Sequence, residues 1–329
     1  MSTRTIRESG DGLVASHVSV TDRSGRVIVD DVSVNARSGR TLVIVGESGA
    51  GKSMLARTLC ALTPSALVAS GTVSLGGEDY DLATDQGRLK KQRGGGIVWL
   101  PQDPFTSLAP TIRCAKQVTA ARTGRRSERA QRSRALLAEV GLDARVARSY
   151  PHELSGGMRQ RVAIAAAPDS EPGVPLADEP TTALDVTTQR DILTLLTRLR
   201  DEHAMTLVLV THDLALARQF GDDVIVMKDG QIVEEGPIIE VLGSPRHEYT
   251  KRLAGAEPRI DGPSPRAWHE PRVGADVVVE VRDLTKVFRS RKDTRFALRD
   301  VSLNVAQRES IGIVGESGSG KTTLARIIV

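Results

Sequence analysis

Apolar and polar residues alternate from Leu13 to Val20 and again from Val27 to Val34, with Asp22-Arg23-Ser24-Gly25 between the two runs. A period of two broken by turn residues predicts an antiparallel pair of half-buried strands. Thr41 to Val45 is an apolar run that reads as a strand, and Met54 to Leu62 has helix-forming spacing. Val73 to Leu75 and Ile97 to Leu100 read as further short strands, and the Gly- and charge-rich Gly76 to Gly96 between them as mostly connection. Helical spacing returns over Thr111 to Ala121, Ser127 to Val140 and Val162 to Ala167. Leu207 to Val210 and Val224 to Met227 predict two more strands, the second turning at Lys228-Asp229-Gly230 into Ile232 to Glu234. Strands interleaved with helices predict an α/β fold.

One stretch gives this pattern a chemistry. Gly46-Glu47-Ser48-Gly49-Ala50-Gly51-Lys52-Ser53 has the spacing G-x-x-x-x-G-K-[ST], placed between a predicted strand and a predicted helix. Backbone N–H groups can close around a polyphosphate only where no Cβ intrudes, and the helix N-terminus adds partial positive charge. Lys52 is then expected to reach the β- and γ-phosphates of a nucleotide, and Ser53 to ligate Mg²⁺.

Composition narrows the remainder. The 329 residues suffice for one large domain or about two ordinary ones. A net charge of +4 is mild and Arg is interleaved with Asp and Glu, so no nucleic-acid footprint stands out. The densest basic segment, Arg122 to Arg134, reads as a solvated helix face. Cys60 and Cys114 lie far apart without partners at metal spacing, which predicts free thiols and no zinc site. Met1 to Gly12 lacks an apolar core and no run approaches 18 apolar residues, so any membrane role is expected to be peripheral.

The chain also repeats itself. Asp300-Val301-Ser302-Leu303-Asn304 matches Asp31-Val32-Ser33-Val34-Asn35, and a second phosphate loop, Gly315 to Thr322, matches the first at the same offset of 269 residues. Within it, Gly315, Gly318, Gly320, Lys321 and Thr322 take the places of Gly46, Gly49, Gly51, Lys52 and Ser53. Residues 255–275, with Pro258, Pro263, Pro265 and Pro271, read as an extended linker between a domain at 1–254 and a truncated second copy at 276–329.

Leu154-Ser155-Gly156-Gly157-Met158-Arg159-Gln160-Arg161 resembles the signature motif of ABC-transporter ATPases. Asp178-Glu179-Pro180 looks like the end of the Walker B strand, Ala183-Leu184-Asp185 like the D-loop, Gln102 like the Q-loop glutamine and His212 like the switch histidine, all in family order. The resemblance implies a P-loop ABC-type domain with an antiparallel β subdomain and a helical subdomain. It also implies roles: Glu179 as general base, Asp178 and Gln102 with Ser53 around Mg²⁺, His212 on the γ-phosphate. Ser155, Gly156 and Gly157 would bind the γ-phosphate held by a second ATPase domain in trans. Gln102 to Leu108, Tyr150 to Glu153 and Ser244 to Thr250 are similar to the flanks of dipeptide, oligopeptide and nickel importer ATPases, with Glu248 where their tail has proline. Some of those carry an iron–sulfur cluster on tail cysteines, which are absent here.

That resemblance implies an ATPase on the cytoplasmic face of the cell membrane, working with permease subunits and indirectly with an extracytoplasmic solute-binding protein. Two alternatives stand beside it: a nucleotide-binding but hydrolytically dead fragment of a tandem ATPase, and a soluble ABC ATPase not tied to transport. The first draws on two departures. Pro168 is expected to end the signature helix early, and Pro175 to remove a ladder donor from a central parallel strand. A third departure is Asp22, which aligns with the family's adenine-stacking aromatic, a place that Phe288 takes in the second copy.

Overall fold

The computed structural model describes residues 12–103, 107–120, 124–167, 173–182, 184–256, 276–289, 294–315 and 318–329. It divides into one compact unit ending at Glu257 and a second beginning at Pro258. The linker assigned to 255–275 lies almost entirely outside the described residues, as do Pro168 and Ala183.

The alternating runs at the start of the first unit form β1 (Leu13–Asp22) and β2 (Val27–Ala36), antiparallel as expected. With β4 (Leu67–Leu75) and β5 (Glu78–Asp81) they make a four-stranded sheet in the order β2-β1-β4-β5. The second sheet contains β3 (Thr41–Val45), β6 (Ile97–Leu100), β7 (Val174–Asp178), β8 (Leu207–Val210), β9 (Asp223–Lys228) and β10 (Gln231–Pro237). Its order is β10-β9-β3-β8-β7-β6, parallel except for the β9–β10 hairpin.

β3 is apolar throughout because both its faces are covered: Leu42 and Ile44 point to one core, Val43 and Val45 to the other. The first core lies between the two sheets around α1 (Lys52–Leu59), which buries Leu55, Ala56 and Leu59. Each leucine so removed from water contributes roughly 1.5–3 kcal/mol, enough to pin the helix that follows the phosphate loop. The second core gathers α3 (Cys114–Val118), α4 (Arg126–Glu139), α5 (Gly156–Ala165) and α6 (Val186–Glu202). α7 (Leu214–Phe220), α8 (Ile238–Gly243) and α9 (Glu248–Gly255) complete that side. α4 turns Ser133, Leu136 and Leu137 inward while Arg125, Arg126 and Arg134 stay exposed, a solvated basic face.

Several expected boundaries move. Residues 76–96 are more than connection, containing β5 and α2 (Gln86–Lys91), a short helix with Leu89 as its one buried residue and so without a readable period. The helix expected at Thr111 to Ala121 shrinks to α3, while that expected at Val162 to Ala167 begins earlier, where Ser155 caps it. α6 to α9 go beyond the helices that the spacing suggested.

The second unit pairs β11 (Val277–Arg289) with β12 (Thr294–Ala306) and ends in α10 (Lys321–Ile328). Its hairpin repeats details of β1–β2. His17 N–H donates to Ser33 Oγ at 3.1 Å, and Asp283 N–H to Ser302 Oγ at 2.9 Å. Asp31 N–H donates to Ser19 Oγ and Asp300 N–H to Thr285 Oγ1, both at 3.0 Å.

Candidate nucleotide-binding site

The loop between β3 and α1 takes a shape that only glycine permits at two points. Gly46 has φ 150° and its missing Cβ would stand 2.2 Å from the Met227 carbonyl oxygen; Gly51 has φ 96° and would meet Ile28 C=O at 2.8 Å. The loop therefore lies against β9 on one side and β2 on the other. Lys52 is 5% exposed and its Nζ donates to the carbonyls of Gly46 at 2.7 Å and Glu47 at 2.8 Å. Burial lowers its proton affinity, against the pull of Glu179 and Asp178.

β7 delivers the acidic pair to the same place. Asp178 is buried at its last position and accepts a 2.8 Å hydrogen bond from Ser53 Oγ. Burial raises the Asp178 carboxyl above its ordinary range, and the neighbouring Glu179 charge adds to this while Ser53 opposes it. Glu179 then turns out of the strand at φ 43°, a costly conformation for a side chain with a Cβ. Its amide is tied to the Val210 carbonyl of β8 at 2.9 Å.

That turn carries the Glu179 carboxylate among three donors. Gln102 Nε2 and Thr182 Oγ1 donate to Oε2 at 3.0 and 2.8 Å, and His212 Nδ1 lies 3.0 Å from Oε1. Burial alone would raise the Glu179 carboxyl; His212 and Thr182 outweigh it and hold the group below its ordinary value. The structure thus brings together Lys52, Ser53, Asp178, Glu179, Gln102 and His212 from four separated stretches of chain. It adds Thr182, which sequence reasoning passed over because one threonine beside an acidic pair carries no signal of its own.

The donor set suits the expected ligands. Paired hard oxygens of Ser53 and Asp178 fit Mg²⁺, and a Cβ-free loop at a helix N-terminus fits polyphosphate. Gln102, expected at the metal, donates to the Glu179 carboxylate. Ser155, Gly156 and Gly157 stand elsewhere: Ser155 caps α5, accepting from Met158 N–H at 3.4 Å, and a Cβ on Gly157 would meet Thr188 of α6 at 2.8 Å. Among the described hydrogen bonds none joins these three residues to the phosphate loop.

In the second unit Gly315, Gly318 and Gly320 have φ of 152°, 84° and 97°, and Lys321 Nζ donates to Gly315 C=O at 2.7 Å. The first loop has 150°, 87° and 96° at the matching glycines. Phe288 lines one hollow with Lys321 and Thr322. Asp22, at the aligned place in the first unit, accepts from Ser24 N–H, Ser24 Oγ and Arg26 N–H and so closes the β1–β2 turn.

The sequence profile of the ABC transporter family matches residues 29–182 and 298–329. The chain is 40% identical over 310 residues to the peptidoglycan transport ATP-binding protein YejF of Agrobacterium fabrum, covering 91% of this chain and 56% of that protein. It is 37% identical to the glutathione import ATP-binding protein GsiA of Salmonella choleraesuis, covering 88% of this chain and 53% of that one. It thus spans about half the length of these curated relatives. Among solved structures, cbiO1 of Clostridium perfringens, part of an ABC transporter complex, aligns with a TM-score of 0.62 at 27% identity, over 72% of this chain and 92% of that one. The ATP-binding cassette MJ0796, a dimer bound to ADP and Pi, aligns with a TM-score of 0.60 at 31% identity, over 69% of this chain and 98% of that one. With its phosphate loops and acidic pair inside the matched segments, the chain belongs to the ABC transporter family.

Proposed function

We propose that residues 13–254 bind and hydrolyse ATP to power import of peptides or related small solutes through separate permease subunits at the cytoplasmic face of the membrane. The observation that carries this reading is the Glu179 carboxylate held by Gln102, Thr182 and His212 beside the Ser53–Asp178 pair. A carboxylate kept ionised and aimed by three donors is equipped to orient a water and take its proton as the water oxygen attacks the γ-phosphorus. Lys52 would exchange its bonds to the loop carbonyls for phosphate oxygens. Ser53 and Asp178 would hold Mg²⁺, which when bound neutralises phosphate charge.

The import reading draws on relatives named for peptidoglycan transport and glutathione import; peptide-bearing solutes are common to both. Among the described residues no helix is long and apolar enough to cross a membrane, in keeping with a separate permease. A solute-binding protein outside the membrane would act only through that permease. We further read the second unit as the beginning of a second ATP-binding domain, supported by its matching loop dihedrals, hairpin bonds and profile match.

Hydrolytic competence is favoured over a dead fragment because Pro175 does not prevent β7 from pairing with both β6 and β8. The test is paired. Lys52→Ala should abolish ATP binding, whereas Glu179→Gln should retain binding and lose turnover, measured by equilibrium binding beside steady-state phosphate release. Turnover in Glu179→Gln equal to the parent's would remove Glu179 from its role.

A further inference from the structure

The tail after β10 reaches back to the phosphate loop. Tyr249 of α9 is 2% exposed, and its hydroxyl oxygen accepts the Glu47 N–H at 2.8 Å. Glu47 is the second residue of the loop, and the Gly46 carbonyl in the same peptide group accepts from Lys52 Nζ at 2.7 Å. One peptide of the loop is therefore gripped on its N–H side by the tail and on its C=O side by the loop's own lysine. Further outside holds are Gly230 N–H, from the β9–β10 turn, on Ala50 C=O at 3.1 Å, and Asp178 on Ser53 Oγ at 2.8 Å.

Tyr249 is itself fixed in place. Lys228 Nζ of β9 and Arg252 Cζ of α9 lie 5.6 and 5.8 Å from its ring centroid. Its N–H donates to His247 Nδ1 at 3.1 Å, which caps α9. The segment leading into α9 is seated on β10: Glu234 accepts from Arg246 N–H at 2.9 Å and His247 N–H at 3.1 Å. The chain of contacts runs without a gap from β10 through the tail to the loop.

We propose that Tyr249 is a positioning residue of the nucleotide site and that the Ser244 to Thr250 tail braces the phosphate loop in its binding shape. A loop whose glycines have no Cβ to limit them depends on outside hydrogen bonds for that shape. The phenol supplies one such bond from a segment some 200 residues away in sequence. The inference rests on reading Gly46 to Ser53 as the nucleotide loop.

Tyr249→Phe deletes the hydroxyl and keeps the ring. In the nucleotide-free protein it should speed amide hydrogen exchange in the peptide spanning the phosphate loop. It should also weaken binding of a fluorescent ATP analogue with Mg²⁺ by about three- to ten-fold, with little change in melting temperature. Glu234→Gln, which touches the loop only through the tail, should shift both readouts in the same direction; it decides the matter if Tyr249→Phe fails to fold. Lys251→Ala, on the exposed side of α9, should leave both unchanged. Unaltered analogue affinity in Tyr249→Phe and Glu234→Gln overturns the proposal, whatever happens to exchange. A parent that binds no analogue overturns the nucleotide reading instead, and the exchange measurement then judges the brace alone.

Discussion

Asp178 and Glu179 are adjacent carboxylates driven in opposite directions by where β7 leaves them. Asp178 ends the strand among buried neighbours, so its charged form is disfavoured, whereas Glu179 turns outward at positive φ into three donors that favour its charge. A stability prediction follows from the first. A carboxyl raised in the folded state contributes stability below its unfolded pKa, near the reference value of 3.8, and loses that contribution as pH rises through the folded value. Asp178→Asn, which keeps an oxygen for Ser53, should therefore melt higher than the parent at pH 7, and the advantage should vanish below about pH 4. Turnover should be lost at the same time, the exchange of stability for function common at charged sites. An Asn variant that melts lower than the parent at pH 7 would show that Asp178 is stabilised as an anion.

At the scale of the element, β7 explains how the chain tolerates Pro175. Val174 N–H donates to Gly96 C=O on the β6 side and Glu179 N–H to Val210 C=O on the β8 side. Strand alternation then points position 175 toward the Thr206 carbonyl, at the start of the β8 ladder. The missing donor is at the strand's second residue, away from the acidic end, so the sheet closes with Asp178 at the end of the strand and Glu179 just beyond it. The cost remains. An unmet buried carbonyl costs about 1–3 kcal/mol, of which proline's stiffening of the unfolded chain returns roughly 0.4–1 kcal/mol. Pro175→Val should gain about 1 kcal/mol, a rise of about 2–4 °C in melting temperature. A fall would mean that the ring's packing outweighs the bond.

At the scale of the molecule, the 329-residue chain carries two phosphate loops and one signature segment, and the described bonds of Ser155 stay within its own segment. A similar cassette is known as a dimer, and we propose that the site is completed by the signature segment of a second ATP-binding domain, which two copies of residues 13–254 can supply to each other. Lys52→Ala and Ser155→Arg chains should each be inactive alone. Mixed, they form heterodimers with one doubly damaged and one intact site, and ATPase activity should return; a mixture as dead as its components would argue against trans completion or for obligatory firing of both sites. The sequence by itself determined whatever is local. Gly46 to Ser53 defines its own loop because glycine spacing fixes backbone shape, and the alternating runs define β1 and β2 because a period of two leaves one face to bury. The repeat at 269 residues was equally legible, being a comparison of the chain with itself. Gln102, Glu179 and His212 were legible only through their order along a familiar family pattern, since a lone glutamine or histidine has no spacing to read. Their meeting on one carboxylate and the grip of Tyr249 on Glu47 were decided by tertiary structure alone. Hydrogen bonds between residues tens to hundreds apart depend on sheet order and strand register, which no local pattern encodes.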